Sequence, residues 1–142
     1  MMDKKNPNYR YISLRYVEYD DGYNVNELIQ WFGKSIGLFG PRDREKSCFR
    51  LFVELFKAGA NNKALTSDEL ASLLSLSRGT VVHHLDRLME TGLVTSRKNR
   101  YSIRERTFEE LIKTIEEDIT SMLENLKVAS KKLDDNLVFL KH

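Results

Sequence analysis

Residues 66–104 constrain the fold of this chain most, because helix, turn and strand signals follow one another there without a gap. Thr66 and Glu69, three residues apart, have the form of a capping box, which predicts the start of a helix. A turn is predicted to follow this helix at Ser75-Leu76. The buried side predicted for the helix comprises Leu70, Leu73 and Leu74.

A second helix is predicted directly after this turn, with Ser77 as its N-cap and Gly92 as a left-handed stop. Its predicted buried face comprises Val81, Leu85, Leu88 and Met89. Residues 93–97 and 100–104 are short strand candidates, and Lys98-Asn99 is the tip between them. This order of elements predicts a helix-turn-helix completed by a small β-wing.

Two further helices flank this region. Residues 43–57 carry apolar side chains at helical spacing, and Gly59 is predicted to end that helix. Thr107 and Glu110 form a second capping box, which opens a final helix predicted to run to about Leu140.

The first third of the chain has a different character. Residues 9–19 are rich in tyrosine and β-branched residues, which favours a strand, and the turn signal Asp20-Asp21-Gly22 follows. Asn24 and Glu27 resemble a capping pair in front of a short apolar helix. We interpret residues 1–42 as an aromatic arm, a strand plus a short helix, that packs on the rest of the chain or on a partner chain.

Composition places the chain among globular proteins. Its 142 residues suffice for one compact domain with an appendage, and 31% of them are charged. No apolar run approaches the length that crosses a bilayer, and the N-terminal stretch lacks the apolar segment of a secretion signal. The single cysteine, Cys48, allows no internal disulfide and is expected to be a packed thiol. A cytoplasmic location without membrane contact is expected.

Charge is distributed unevenly along the chain. Residues 77–106 hold seven basic and three acidic residues, a net charge of +4. Residues 108–142 hold five lysines and eight acidic residues, a net charge of −3. The positive charge is therefore concentrated in the helix-turn-helix region, which indicates a polyanionic partner.

The final helix carries an apolar stripe at alternating spacings of four and three residues, which is typical of a coiled coil. The stripe comprises Phe108, Ile112, Ile115, Ile119, Met122, Leu126, Ala129, Leu133 and Leu140. A helix this long cannot bury its stripe on so small a domain, and pairing with the same helix of a second copy is the simplest solution. We therefore expect a homodimer. The alternative is a helix that folds back as a hairpin onto the arm.

The start of the helix after Ser77 has the chemistry needed at a DNA major groove, where small and polar residues let the backbone approach the bases. Arg78 can donate to a guanine or a phosphate, and Thr80 can bond a phosphate or touch a thymine methyl. The basic wing suits phosphates or the minor groove. The predicted DNA-binding residues are Ser77, Arg78, Gly79, Thr80, Val82, His83, Arg87, Arg97, Lys98, Asn99 and Arg100.

The segment SRGTVVHHLDRLMETGLV resembles the recognition segment of the ArsR-type winged-helix repressors, whose form is S-x-x-T-V-S-x-H-L-x-x-L-x-x-x-G-L-V. The matching positions are Ser77, Thr80, Val81, His84, Leu85, Leu88, Gly92, Leu93 and Val94. The resemblance covers about residues 43–105. It implies a dimer, DNA contacts from this helix and regulation of transcription, most often repression. It also implies groove contacts by Arg78, Thr80, Val82 and His83, and a structural role for His84.

The chain departs from the metal-sensing members of that family. Those members carry paired thiolates in the helix before the recognition helix, where this chain has Leu70 to Leu74 and no cysteine. His142, the last residue, is the only histidine near the C-terminus, and the adjacent His83 and His84 point about 100° apart on a helix and cannot chelate together. We therefore expect no metal site and no cofactor. No nucleophile-base arrangement is found, so an enzyme is not predicted.

Together these features predict a mainly α fold in three parts: the arm (1–42), a winged helix-turn-helix domain (43–106) and a long dimerisation helix (107–142). The predicted function is a homodimeric, sequence-specific regulator of transcription that binds double-stranded DNA, most simply as a repressor. The alternative is a winged-helix adaptor that binds proteins and not DNA. No motif identifies a small-molecule or protein effector.

Overall fold

A computed structural model describes residues 12–38 and 46–140, which form five helices and one antiparallel sheet. The helices are α1 (Val25–Ser35), α2 (Ser47–Ala60), α3 (Ser67–Leu74), α4 (Arg78–Thr91) and α5 (Phe108–Leu140). The strands are β1 (Leu65–Thr66), β2 (Val94–Arg97) and β3 (Arg100–Ile103). The predicted mainly helical fold, with a winged helix-turn-helix and a long C-terminal helix, is confirmed.

The described residues belong to two compact units. One unit contains those up to Arg106, and the other contains those from Thr107 onward. The predicted three-part division, with boundaries after residues 42 and 106, stays a prediction.

Helices α2, α3 and α4 supply the core of the first unit. The fully or nearly fully buried side chains of these helices include Leu51, Phe52, Leu55, Leu70, Leu74, Val81, Leu85 and Leu88. Leu93, just after α4, is also fully buried and was not predicted to be. This core fixes α4 by one face and leaves its opposite face exposed.

Two residues predicted to be buried are exposed instead. Leu73 is 59% exposed and Met89 is 39% exposed. Successive residues of a helix are rotated by about 100° around its axis. On that basis each of these two residues lies roughly 70–80° from the centre of the buried face of its helix, that is, at the edge of that face. The stripe of α3 is thus narrower than predicted, since Leu70 and Leu74 alone occupy it.

Helix α2 does not end where predicted. Gly59 lies inside the helix, which continues to Ala60. Asn62 then takes the left-handed conformation with a φ of 57°, and the Lys63 amide donates to the Ala58 carbonyl at 2.8 Å. The amide side chain of Asn tolerates this conformation, so Asn62 makes the turn that was expected of glycine. The predicted helix residues 43–45 lie outside the described residues.

The sheet has the strand order β1-β3-β2 with antiparallel pairing throughout. Strands β2 and β3 form the predicted wing, in register from Val94 opposite Ile103 to Arg97 opposite Arg100. The third strand, β1, was not predicted, because its two residues overlap the cap of α3. It pairs Leu65 with Tyr101 and therefore attaches the wing to the start of α3.

The strand predicted for residues 9–19 is wrong for residues 12–19, which lie in no strand; residues 9–11 are outside the described residues. Two hydrogen bonds to α1 hold this stretch instead. The Arg15 amide donates to the Ser35 carbonyl at 2.8 Å, and Trp31 Nε1 donates to the Val17 carbonyl at 3.0 Å. These bonds occupy backbone groups that a sheet partner would have used.

The end of α1 permits this close approach. Gly37 has a φ of 76°, and a Cβ built there would lie 3.0 Å from the Ser13 carbonyl oxygen. Glycine is therefore required here, because it adopts a positive φ without strain and leaves room for the Ser13 carbonyl. The neighbouring Ile36 and Leu38 are buried, so the segment after α1 belongs to the core.

Helix α5 is the principal described element of the second unit. It has 33 residues, about 50 Å at 1.5 Å per residue. The Thr107 hydroxyl accepts a bond of 3.1 Å from the Glu110 amide, as the predicted cap requires. No helix among the described residues is both long enough and apolar enough to span a membrane.

Burial along α5 changes from one end to the other. Of the predicted stripe, Ile115 is buried, Phe108 and Ile119 are half-buried, and the side chain of Leu140 lies outside the described residues. The exposed members are Ile112, Met122, Leu126, Ala129 and Leu133. Three leucines widen the stripe beyond its prediction: Leu111, which is buried, and Leu123 and Leu137, which are each 49% exposed.

Candidate nucleic-acid interface

The first turn of α4 presents a capped and open helix end. Ser77 Oγ accepts a bond of 3.1 Å from the Thr80 amide and lies 2.8 Å from Thr80 Oγ1. Arg78 and Gly79 are exposed, and Thr80 is half-buried. A Cβ on Gly79 would meet no atom within 4 Å, so the backbone surface is open at this point. An anionic group could reach this helix end at close range.

The next turn of α4 separates its two adjacent histidines. His83 is exposed beside Val82, which is 37% exposed, and Arg87 is exposed one turn further along. His84 is half-buried and points toward α2, with Nε2 placed 2.8 Å from Ser47 Oγ. This bond fixes α4 against α2, which agrees with the structural role predicted for His84.

The wing tip is a tight two-residue turn. Lys98 and Asn99 both have positive φ values, 54° and 63°, as a type I′ hairpin turn requires. Arg97 and Arg100 face each other across the last pair of the ladder. All four side chains are exposed. Like charges in directly opposite positions destabilise a hairpin, and a bound anion would relieve that repulsion.

Two arginines of the predicted interface have intramolecular acidic partners. Arg78 Nε lies 3.7 Å from Asp68 Oδ1, and Arg100 Nη1 lies 3.5 Å from Glu69 Oε1. Arg100 Nη1 also lies 3.5 Å from the Ala64 carbonyl. The sequence pattern predicts a capping role for Glu69 and no role for Asp68.

The predicted DNA-binding residues of α4 and those of the wing both lie beside the first turn of α3. Asp68 and Glu69 are adjacent in the first turn of α3; one pairs with the start of α4 and the other with the wing. The recognition-helix residues and the wing residues therefore flank the N-terminal end of α3. The only sequence signal for this arrangement is the two acids in the first helical turn.

No group of three His, Cys, Asp or Glu side chains in the described part of the chain is placed to hold a metal ion. Cys48 is completely buried in α2.

Neither a curated protein nor a solved structure was found to match the chain. Residues 60–96 match the family model of the bacterial regulatory proteins of the arsR family. The match begins at the last residue of α2 and includes β1, α3, α4 and most of β2; the wing tip lies beyond it. These residues are therefore similar to the helix-turn-helix domain of arsR-family regulators, which supports a DNA-binding regulator of transcription.

Proposed function

We propose that this protein is a homodimeric, sequence-specific repressor that binds duplex DNA through α4 and the β2–β3 wing. The observation that carries the proposal is the open N-terminal end of α4, with cationic side chains on it and on the adjoining wing. The arsR-family match over α3 and α4 supports the same assignment.

Helix α4 would read the major groove from its N-terminal half. Arg78 has a planar guanidinium that can donate two bonds to a guanine edge. His83, five residues further along, is also exposed. Gly79 keeps the helix backbone accessible, so the helix could lie deep in the groove. Thr80 and Val82 could contact the backbone or a thymine methyl group.

The wing would bind the DNA backbone beside that groove. Arg97 and Lys98 are exposed at its tip, and neutralising phosphates there would release condensed counterions. Such contacts contribute affinity without sequence preference, whereas α4 would supply the preference.

A second copy is the proposed partner of α5. The stripe from Met122 to Leu137 is exposed and follows coiled-coil spacing. An identical helix presents an identical stripe, so a two-fold pair buries both stripes with one interface. The pairing would join two DNA-binding units and so favour a site with two half-sites.

Repression follows most simply if the dimer occupies promoter DNA. A signal would then act by changing how the paired units engage their half-sites. The arm and the junction at Arg106 and Thr107 are the proposed places of control.

Binding to a random duplex at rising salt tests the DNA-binding part of the proposal. We expect a linear fall of log K with log salt, with a slope of about −0.9 for each phosphate neutralised. Absence of binding at low salt would contradict the proposal and favour the protein-binding adaptor. Selection of bound fragments from genomic DNA would then test sequence preference.

A further inference from the structure

The first turn of α3 carries two acids that pair with cations of the proposed DNA-binding surface. We propose that Asp68 and Glu69 compete with DNA phosphates for Arg78 and Arg100, and so weaken the sequence-independent, electrostatic part of DNA binding. The inference rests on the proposed function, because it assigns a role to residues beside the same surface.

The geometry supports competition and not permanent pairing. Arg78 and Asp68 approach only to 3.7 Å, and both side chains are about three-quarters exposed, at 74% and 76%. Exposed pairs of this kind contribute little to folding stability, because water screens them and both side chains lose freedom. The acid therefore holds the guanidinium weakly, and a phosphate could displace it.

The second ion pair is also exposed to solvent, and it involves the wing where the first involves α4. Arg100 and Glu69 are 57% and 46% exposed at a separation of 3.5 Å. Glu69 Oε1 also accepts a bond of 3.1 Å from Thr66 Oγ1, so the carboxylate is attached to the cap of α3. Its partner Arg100 belongs to β3 and lies opposite Arg97 of β2, so a second arginine is close to the pair.

The two acids lower the net positive charge of the proposed DNA-binding surface. The five cations of the proposed surface give five positive charges, which the two acids reduce to three; they are Arg78, Arg87, Arg97, Lys98 and Arg100. Any duplex gains from neutralising these cations, because every phosphate attracts them equally. Only a site that α4 reads through base contacts gains additional free energy. Removing the acids should therefore strengthen binding to any duplex, one of random sequence included.

The variant Asp68→Asn tests this directly, because it removes the charge and keeps the shape of an exposed side chain. Glu54→Gln is the matched control, since Glu54 pairs with Lys57 of α2 at 3.6 Å, outside the proposed interface. Asp68→Glu keeps the charge and should behave like the unmodified protein. Glu69→Gln tests the wing pair and still offers an oxygen to Thr66.

Affinity for random duplex should be measured across salt for each variant. For Asp68→Asn we expect roughly threefold to tenfold tighter binding near 0.1 M salt and a slope steeper by up to about 0.9. Equal affinity in Asp68→Asn and Glu54→Gln, or weaker binding by Asp68→Asn, would overturn the inference. Thermal unfolding of each variant would exclude a change in fold as the cause.

The inference and the proposed function fail in different ways. If the unmodified protein does not bind duplex at low salt, the proposed function fails first. If it binds and the acid variants leave the affinity unchanged, the proposed function stands and this inference is wrong.

Discussion

Chemically similar side chains have different roles in this protein. Arg50 donates a bond of 2.9 Å to the Leu74 carbonyl, so it stabilises the end of α3. Arg78 lies on the exposed end of α4 and is available to an external partner. Counting cations therefore does not identify a DNA-binding surface, because only cations that are exposed to solvent can contact DNA.

The double substitution of Arg78 and His83 by Ala should reduce sequence preference. A bidentate arginine contact is worth about 1–3 kcal/mol of discrimination, so we expect a tenfold or larger loss for a selected site. Fluorescence anisotropy with selected and random duplexes would measure it. Arg15→Ala is the control, because it removes an exposed arginine from the arm. If the double variant kept its full preference for the selected sequence, α4 would not be the element that recognises that sequence through Arg78 and His83.

Gly79→Ala should change stability and DNA binding in opposite directions. The added methyl group meets no atom within 4 Å, and alanine favours a helix over glycine by about 0.5–1 kcal/mol. The same methyl group would keep the backbone of α4 from a close approach to DNA, so we expect weaker binding. Urea unfolding and anisotropy together would check both effects. Unchanged affinity would indicate that the backbone does not approach the duplex there.

Periodicity predicted the buried face of α4 correctly at three of four positions, Met89 being the exception, but did not predict contacts between elements. Val81, Leu85 and Leu88 are buried as expected, because a repeat of three to four residues marks one helix face. The partnership of Asp68 with Arg78 depends on how α3 and α4 are placed in space. No repeat in the sequence encodes that placement.

Among helices and strands, predictions made from caps agreed best with the structure. The Asn24, Thr66 and Ser77 caps start their helices where expected, because each side chain satisfies a free amide at the helix end. The strand predicted from tyrosines and β-branched residues is wrong for 12–19. Strand propensity reflects packing on a neighbouring strand, and here hydrogen bonds to α1 replace that neighbour.

Gly92→Ala should destabilise the winged-helix unit. Gly92 ends α4 with a φ of 88°, and a residue with a Cβ pays about 1–2 kcal/mol in this left-handed region. Urea unfolding monitored by circular dichroism would measure the loss. Gly59→Ala is the control: Gly59 lies inside α2 with no atom near its missing Cβ, so we expect a small gain. A cost at Gly59 equal to that at Gly92 would contradict this explanation.

For the protein in its proposed dimeric state, α5 is the decisive element. Leu126 and Leu133 lie on the exposed stripe, while Val128 lies roughly on the opposite side of the helix at about 100° per residue. Leu126 and Val128 are almost equally exposed, at 59% and 57%. The two residues therefore differ in the helix face on which they lie and not in their exposure.

Leu126→Asp should dissociate the proposed dimer, because pairing would bury a carboxylate without a partner. Val128→Asp introduces the same residue on the other face and should leave the dimer intact. Light scattering at micromolar concentration would measure both variants. A monomeric unmodified protein would refute pairing through α5, and equal effects of the two variants would argue against this stripe.

The complete burial of Cys48 turns the only thiol of the chain into a reporter of opening. A thiol reagent can react with it only while α2 is transiently separated from its core, so the labelling rate follows that opening equilibrium. A ligand bound only by the closed form must slow the reaction in proportion to its occupancy. Labelling at increasing concentrations of duplex should therefore give a binding curve without a dye or a tag on the protein. Rapid labelling of the folded chain would instead mean that α2 opens readily.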